Sequence, residues 1–127
     1  MRNRFFTIRL LRVALLLGAI YDVAFAVALV LAPARVVRTL GVPEPGARLY
    51  LWLLALLLAM VGALSLAAAD DPRRYAAVVL IAAAGRLGGA IILAVAAASD
   101  RLDRLWPAAA AELAFGVAIA WPWSRLR

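Results

Sequence analysis

Of the 127 residues, 68% are hydrophobic and the mean hydropathy is +0.98, well beyond the roughly 45–50% apolar content of a soluble domain. With no cysteine and no histidine, the chain has no disulfide, cysteine zinc site, thiolate nucleophile, histidine-ligated haem or Ser-His-Asp triad, and neither a metal nor a cofactor is expected. The formal net charge is +7 and all fourteen basic residues are Arg; they lie at the ends of apolar runs, which points to anionic headgroups rather than nucleic acid.

The chain opens on a polar, basic segment with Arg2, Asn3, Arg4, Arg9 and Arg12. An apolar run follows over residues 13–32, about 20 residues or ~30 Å of helix, enough to cross the hydrocarbon core. Pro33 stops it. A cleaved signal peptide also has a basic start and an apolar centre. The length of this run and Asp22 in its middle argue for a span instead. Residues 34–40 then place Val36, Val37 and Leu40 on one side and Arg35, Arg38 and Thr39 on the other, an amphipathic segment suited to the interface. Gly41 is placed to cap it, and Val42-Pro43-Glu44-Pro45-Gly46 is a rigid turn.

The second run, residues 49–69, has no charge, and Tyr50 and Trp52 stand at its headgroup end. Asp70-Asp71-Pro72-Arg73-Arg74 closes it and offers an Asp cap followed by a first-turn proline to the next helix. The third run, 75–98, is interrupted only by Arg86. Ser99 to Arg104 forms a short polar turn. The fourth run, 105–121, carries Glu112, with Trp106 at one end and Trp121 and Trp123 at the other. Ser65 is expected to bond back to its own helix. The short connections make the second, third and fourth runs sequential antiparallel neighbours. Residues 1–127 are thus expected to form one all-α transmembrane domain, an antiparallel four-helix bundle.

Both termini and the middle loop share one side, which holds eight arginines (Arg2, Arg4, Arg9, Arg12, Arg73, Arg74, Arg125 and Arg127). The opposite side holds five (Arg35, Arg38, Arg48, Arg101 and Arg104). The positive-inside rule puts both termini in the cytoplasm. Arg without Lys, together with abundant Ala and Leu, points to a GC-rich bacterium and hence to its cytoplasmic membrane.

Asp22, Arg86 and Glu112 lie inside the runs, each roughly ten residues or ~15 Å from the end of its run. An ionised group at a helix centre costs about 2.5–3.5 kcal/mol on insertion scales, so each needs a partner. Small residues surround all three at helical spacing: Gly18, Ala19 and Ala26 near Asp22, Ala82, Ala83, Gly89 and Ala90 near Arg86, Ala108, Ala109 and Gly116 near Glu112. Such residues let helices approach closely, and Gly85 and Gly89 form a G-x-x-x-G suited to intramolecular packing or to dimerisation. The expected outcome is a buried acid–Arg–acid cluster, since one guanidinium can serve two carboxylates. Two ionised acids would leave it a net charge of −1, which burial opposes. The cluster either fixes helix register, lines a cavity or proton path, or pairs Arg86 with another chain. Tyr21 projects about 100° from Asp22 by helical geometry and is a weaker candidate, as is Ser65.

The segments Leu31-Ala32-Pro33 to Gly46, and Asp71-Pro72-Arg73-Arg74-Tyr75 to Arg86, resemble those of small uncharacterised bacterial four-span proteins, similar in broad outline to the DoxX-like group. The resemblance spans most of the chain and implies the four-helix membrane fold. Such families include proteins tied to membrane redox or quinone-linked assemblies, and the resemblance assigns no active residue. Three roles are consistent with the sequence. One is an accessory or structural subunit of a membrane complex, as part of a hetero-complex or a homodimer. Another is a small transporter or binder of a hydrophobic or cationic molecule; small multidrug exporters are similar in length and carry an acid in their first helix, as Asp22 is here, but lack an Arg-neutralised site. The third is a lipid-modifying enzyme with Glu112 or Asp22 as general acid–base.

Overall fold

Each apolar run becomes a helix because a backbone in hydrocarbon must bond to itself. The computed structural model describes residues 2–126; Met1 and Arg127 lie outside it, and with Arg127 one charge of the side count, as do the side chains of Arg2 and Asn3. Five α-helices follow in order: α1 (Arg2–Leu31), α2 (Pro33–Leu40), α3 (Arg48–Asp70), α4 (Ala76–Ser99) and α5 (Trp106–Leu126), with a 3₁₀ turn at Asp103–Leu105 before the last. Among the described residues there is no strand. Four helices, all but α2, are long and apolar enough to cross a membrane. The protein is an all-α, multi-pass membrane bundle.

Helix α1 has 30 residues, or ~45 Å, and so outruns the hydrocarbon core. It begins well upstream of the apolar run, because Arg and Leu are both good helix formers and the arginines sit at the headgroup level. Arg4, Arg9 and Arg12 are exposed there. Arg12 Nη2 donates to the carbonyl of Asp70 at 2.6 Å, which satisfies one of the open carbonyls at the end of α3.

Packing is uneven around the bundle. Helix α1 lies along α3 and α5, and α4 lies along α5, whereas α3 and α4 touch only lightly. The two remain sequential neighbours, as the short loop between them implies, but they pack more loosely than those other pairs. The reason lies in the facing residues. At the α1–α3 crossing Gly62 sits so near α1 that a Cβ there would meet Ala19 O at 3.3 Å and Val23 Cγ2 at 2.9 Å. At the α4–α5 crossing a Cβ on Gly116 would lie 3.2 Å from the Leu87 backbone nitrogen. Between α3 and α4 stand Leu58, Val61 and Leu64 instead, with no glycine crossing to draw the backbones together. The pair meets near its connecting turn, where Ala68, Ala69, Val79 and Ala83 join Leu11, Leu15 and Ile119 in one buried cluster. A second cluster, built on Ala26, Leu29 and Ala55, fills the other end.

The connectors hold their shapes by named bonds. Asp71 Oδ1 accepts the backbone N–H groups of Arg73 and Arg74, both at 3.2 Å, and so caps the turn that leads into α4. Val37 is the buried residue of α2. That helix ends on Gly41 at φ 67°, with Gly41 N bonded to Arg38 O and Val42 N to Val37 O, the paired closure of a left-handed glycine cap. Arg104 covers this cap and donates from Nη1 to Arg38 O at 2.9 Å. Gly41→Ala is expected to lower stability by about 1–2 kcal/mol, the left-handed penalty for an L-residue, measured by thermal unfolding in detergent.

Candidate functional site

The three charged residues of the membrane interior meet. Asp22 comes from the C-terminal half of α1, Arg86 from the middle of α4 and Glu112 from α5. Arg86 Nη2 donates to Asp22 Oδ2 at 2.7 Å, and Nη1 reaches Glu112 Oε1 and Oε2 at 3.0 and 3.1 Å. Nη2 also donates to the carbonyl of Gly18 at 2.9 Å. Asp22 and Arg86 are buried, while the Glu112 side chain keeps 19% of its surface. The guanidinium forks across two carboxylates from two helices of its own chain.

Gly18 lets this arrangement fit. A Cβ at that position would lie 3.1 Å from Arg86 Nη2, in the path of the guanidinium. Two aromatic rings enclose the cation: Phe115 with its centroid 5.1 Å and Tyr21 with its centroid 5.6 Å from Arg86 Cζ. Tyr21 also packs against Phe25 and Phe115. Helical projection along α1 turned Tyr21 away from Asp22, but α5 carries Phe115 into the same space, and the tyrosine ring closes over Arg86 from the side. Phe115 itself was missed by sequence reasoning. The signal was available, since it stands three residues after Glu112 on the same helix face.

Ser65 occupies a place that local reasoning did not give it. It is buried, it makes no back-bond, and it lines a cleft of about 260 Å³ between α3 and α4. Asp22, Arg86 and Glu112 form the polar floor of that cleft, and Leu58, Val78 and Ala82 form its walls. Val61, Leu64, Ile81 and Gly85 line it too and are exposed, so it opens sideways onto the face that meets lipid. A Cβ on Gly85 would meet nothing within 4 Å. A Cβ on Gly89 would stand 3.9 Å from the Glu112 side chain, so of the G-x-x-x-G pair Gly89 faces α5 and Gly85 faces no helix of this chain.

The chemistry of the floor is unbalanced. Two carboxylates offer more acceptor positions than one guanidinium and its neighbours fill. Such a floor receives a hydrogen-bond donor more readily than an acceptor, and a cation more readily than a neutral group. No protein-family model, curated protein or solved structure matches the chain.

Proposed function

We propose that this protein binds a compact apolar molecule bearing an amine or hydroxyl donor, taken laterally from the bilayer into the α3–α4 cleft. One observation carries the reading: an acceptor-rich floor of Asp22, Glu112 and Ser65 lies under apolar walls in a cleft that opens toward lipid. Arg86 holds the two acids apart and supplies most of their compensating charge, which leaves room for a donor from the ligand. Ligand sites between helices of a bundle are commonly apolar, with a few converging polar groups. A transporter is the same reading with a second opening.

The test uses short alkyl diazirine probes ending in an amine, a hydroxyl or a methyl group, photolysed with the protein in lipid nanodiscs. The amine probe is expected to label the cleft walls about tenfold more than the methyl probe, the factor for one hydrogen bond to a charged group. Gly85→Leu projects into open space at the rim. It is expected to abolish labelling and leave thermal unfolding unchanged. Equal labelling by the amine and methyl probes would count against the reading.

A second reading is favoured by Gly85 and Gly88, whose Cα atoms are open to close approach from outside. Gly85 is exposed and Gly88 half-buried; open glycines at helical spacing suit a partner helix, and the protein would then be an accessory subunit of a larger membrane assembly. The DoxX-like resemblance and its quinone-linked assemblies support that alternative. Recovery of a stoichiometric protein partner after gentle purification would select it. In either case we place the protein in a bacterial cytoplasmic membrane with both termini inside, on the arginine excess of that side.

A further inference from the structure

A second built surface lies away from the cleft, at the end of the bundle that carries α2. Arg35 on α2 and Arg48 at the start of α3 line one depression of about 400 Å³ together with Trp52. Both arginine side chains are exposed. Neither has a side-chain hydrogen bond or ion pair among the described residues. Their neighbours differ: Arg38 donates to Ala34 O and Arg104 to Arg38 O. Glu44 shares an adjacent depression with Arg48 without forming an ion pair with it.

This basic depression continues into an apolar groove of about 450 Å³ between α1 and α3. Val30, Leu31 and Trp52 line both, so the two are one surface. The groove exists because Ala26, Ala55 and Ala59 leave space between larger neighbours. Along α3 it runs from Trp52 to Ala59, seven residues or ~10 Å, from the interface toward the membrane centre. Trp52 stands at the junction, where an indole favours the boundary between headgroup and chain.

We propose that this surface is a specific site for an anionic phospholipid. Its phosphate lies between Arg35 and Arg48, and the upper part of one acyl chain lies in the α1–α3 groove. Charge complementarity selects the occupant: two guanidinium groups without partners face the headgroup level directly above a groove that only a chain fills. A zwitterionic lipid supplies the chain but not the net charge. A soluble phosphodiester supplies the charge but not the chain. The site is independent of the α3–α4 cleft and of any role assigned to it.

The test is native mass spectrometry of the full chain released from nanodiscs of equal parts phosphatidylglycerol and phosphatidylcholine. The wild type is expected to retain one phosphatidylglycerol in preference to phosphatidylcholine. Arg35→Gln with Arg48→Gln is expected to lower that retention roughly thirtyfold, the factor for removing two basic residues at an anionic surface. Arg101→Gln with Arg125→Gln removes the same charge elsewhere and is expected to leave retention unchanged. Glycerophosphoglycerol, the headgroup without chains, is expected not to displace the lipid. Retention unaffected by the Arg35/Arg48 pair, lost equally in the control pair, or displaced by the free headgroup would each overturn the proposal. Circular dichroism of both double variants separates loss of the site from loss of the fold.

Discussion

Arg86→Met alone is expected to cost about 3–5 kcal/mol of stability, the range for stripping one partner from a buried ion pair. Methionine keeps the length of the apolar stem, so little of this loss is cavity. The loss comes from the acids. Asp22 is 2% exposed, and without Nη2 its buried carboxylate would lose the guanidinium it pairs with. Glu112 would lose both of its contacts to Nη1. Thermal unfolding in detergent, followed by circular dichroism, measures the effect. Adding Asp22→Asn and Glu112→Gln to Arg86→Met removes both stranded charges, and that triple variant is expected to recover most of the stability. An Arg86→Met protein as stable as the wild type would show that Arg86 does not neutralise the acids. A triple variant that fails to recover would mean that the cluster holds the helices by its specific bonds rather than by its charge balance.

The meeting of Asp22, Arg86 and Glu112 was legible in the sequence because electrostatics left little choice. Three costly groups at one depth in four helices need each other, and depth follows from counting residues at the helical rise. The helices were legible for a similar reason, since a run of apolar residues of spanning length has few other uses. The start of α1 was not, because hydropathy detects the hydrocarbon segment and is blind to a helix that continues through arginines into the headgroups. Tyr21 and Ser65 were harder to place. The expected Ser65 back-bond does not form, and the surroundings of both residues depend on how other helices stand. Ser65 opens onto a cleft only because α3 and α4 diverge. That divergence arises from glycines at other crossings, Gly62 of α3 against α1 and Gly116 of α5 against α4, and it is a competition between contacts that no single segment records.

That competition has a direct consequence for the glycines. Gly116→Val is expected to cost about 3 kcal/mol, at the upper end of the usual overpacking range. The nearest obstruction on the helix backbone, Leu87 N at 3.2 Å from an added Cβ, cannot rotate aside as a side chain can, so α4 and α5 must separate. Gly62→Val is expected to cost a similar amount, because its added Cβ meets Ala19 O at 3.3 Å. Gly88→Ala is the control. It adds a methyl group where nothing lies within 4 Å, and is expected to be neutral or to gain up to about 1 kcal/mol from helix propensity. Unfolding in detergent reports all three on one scale. The two crossings share no helix, so the Gly62/Gly116 double variant is expected to lose the sum of the two single losses within about 0.5 kcal/mol. Gly62 also stands 3.5 Å, measured from its added Cβ, from Asp22 Cβ, and this links its crossing to the cluster. If the double variant loses clearly less than the sum, Arg86 is already carrying strain from one crossing to the other. The cleft between α3 and α4 would then be held open by the cluster as well as by the glycines.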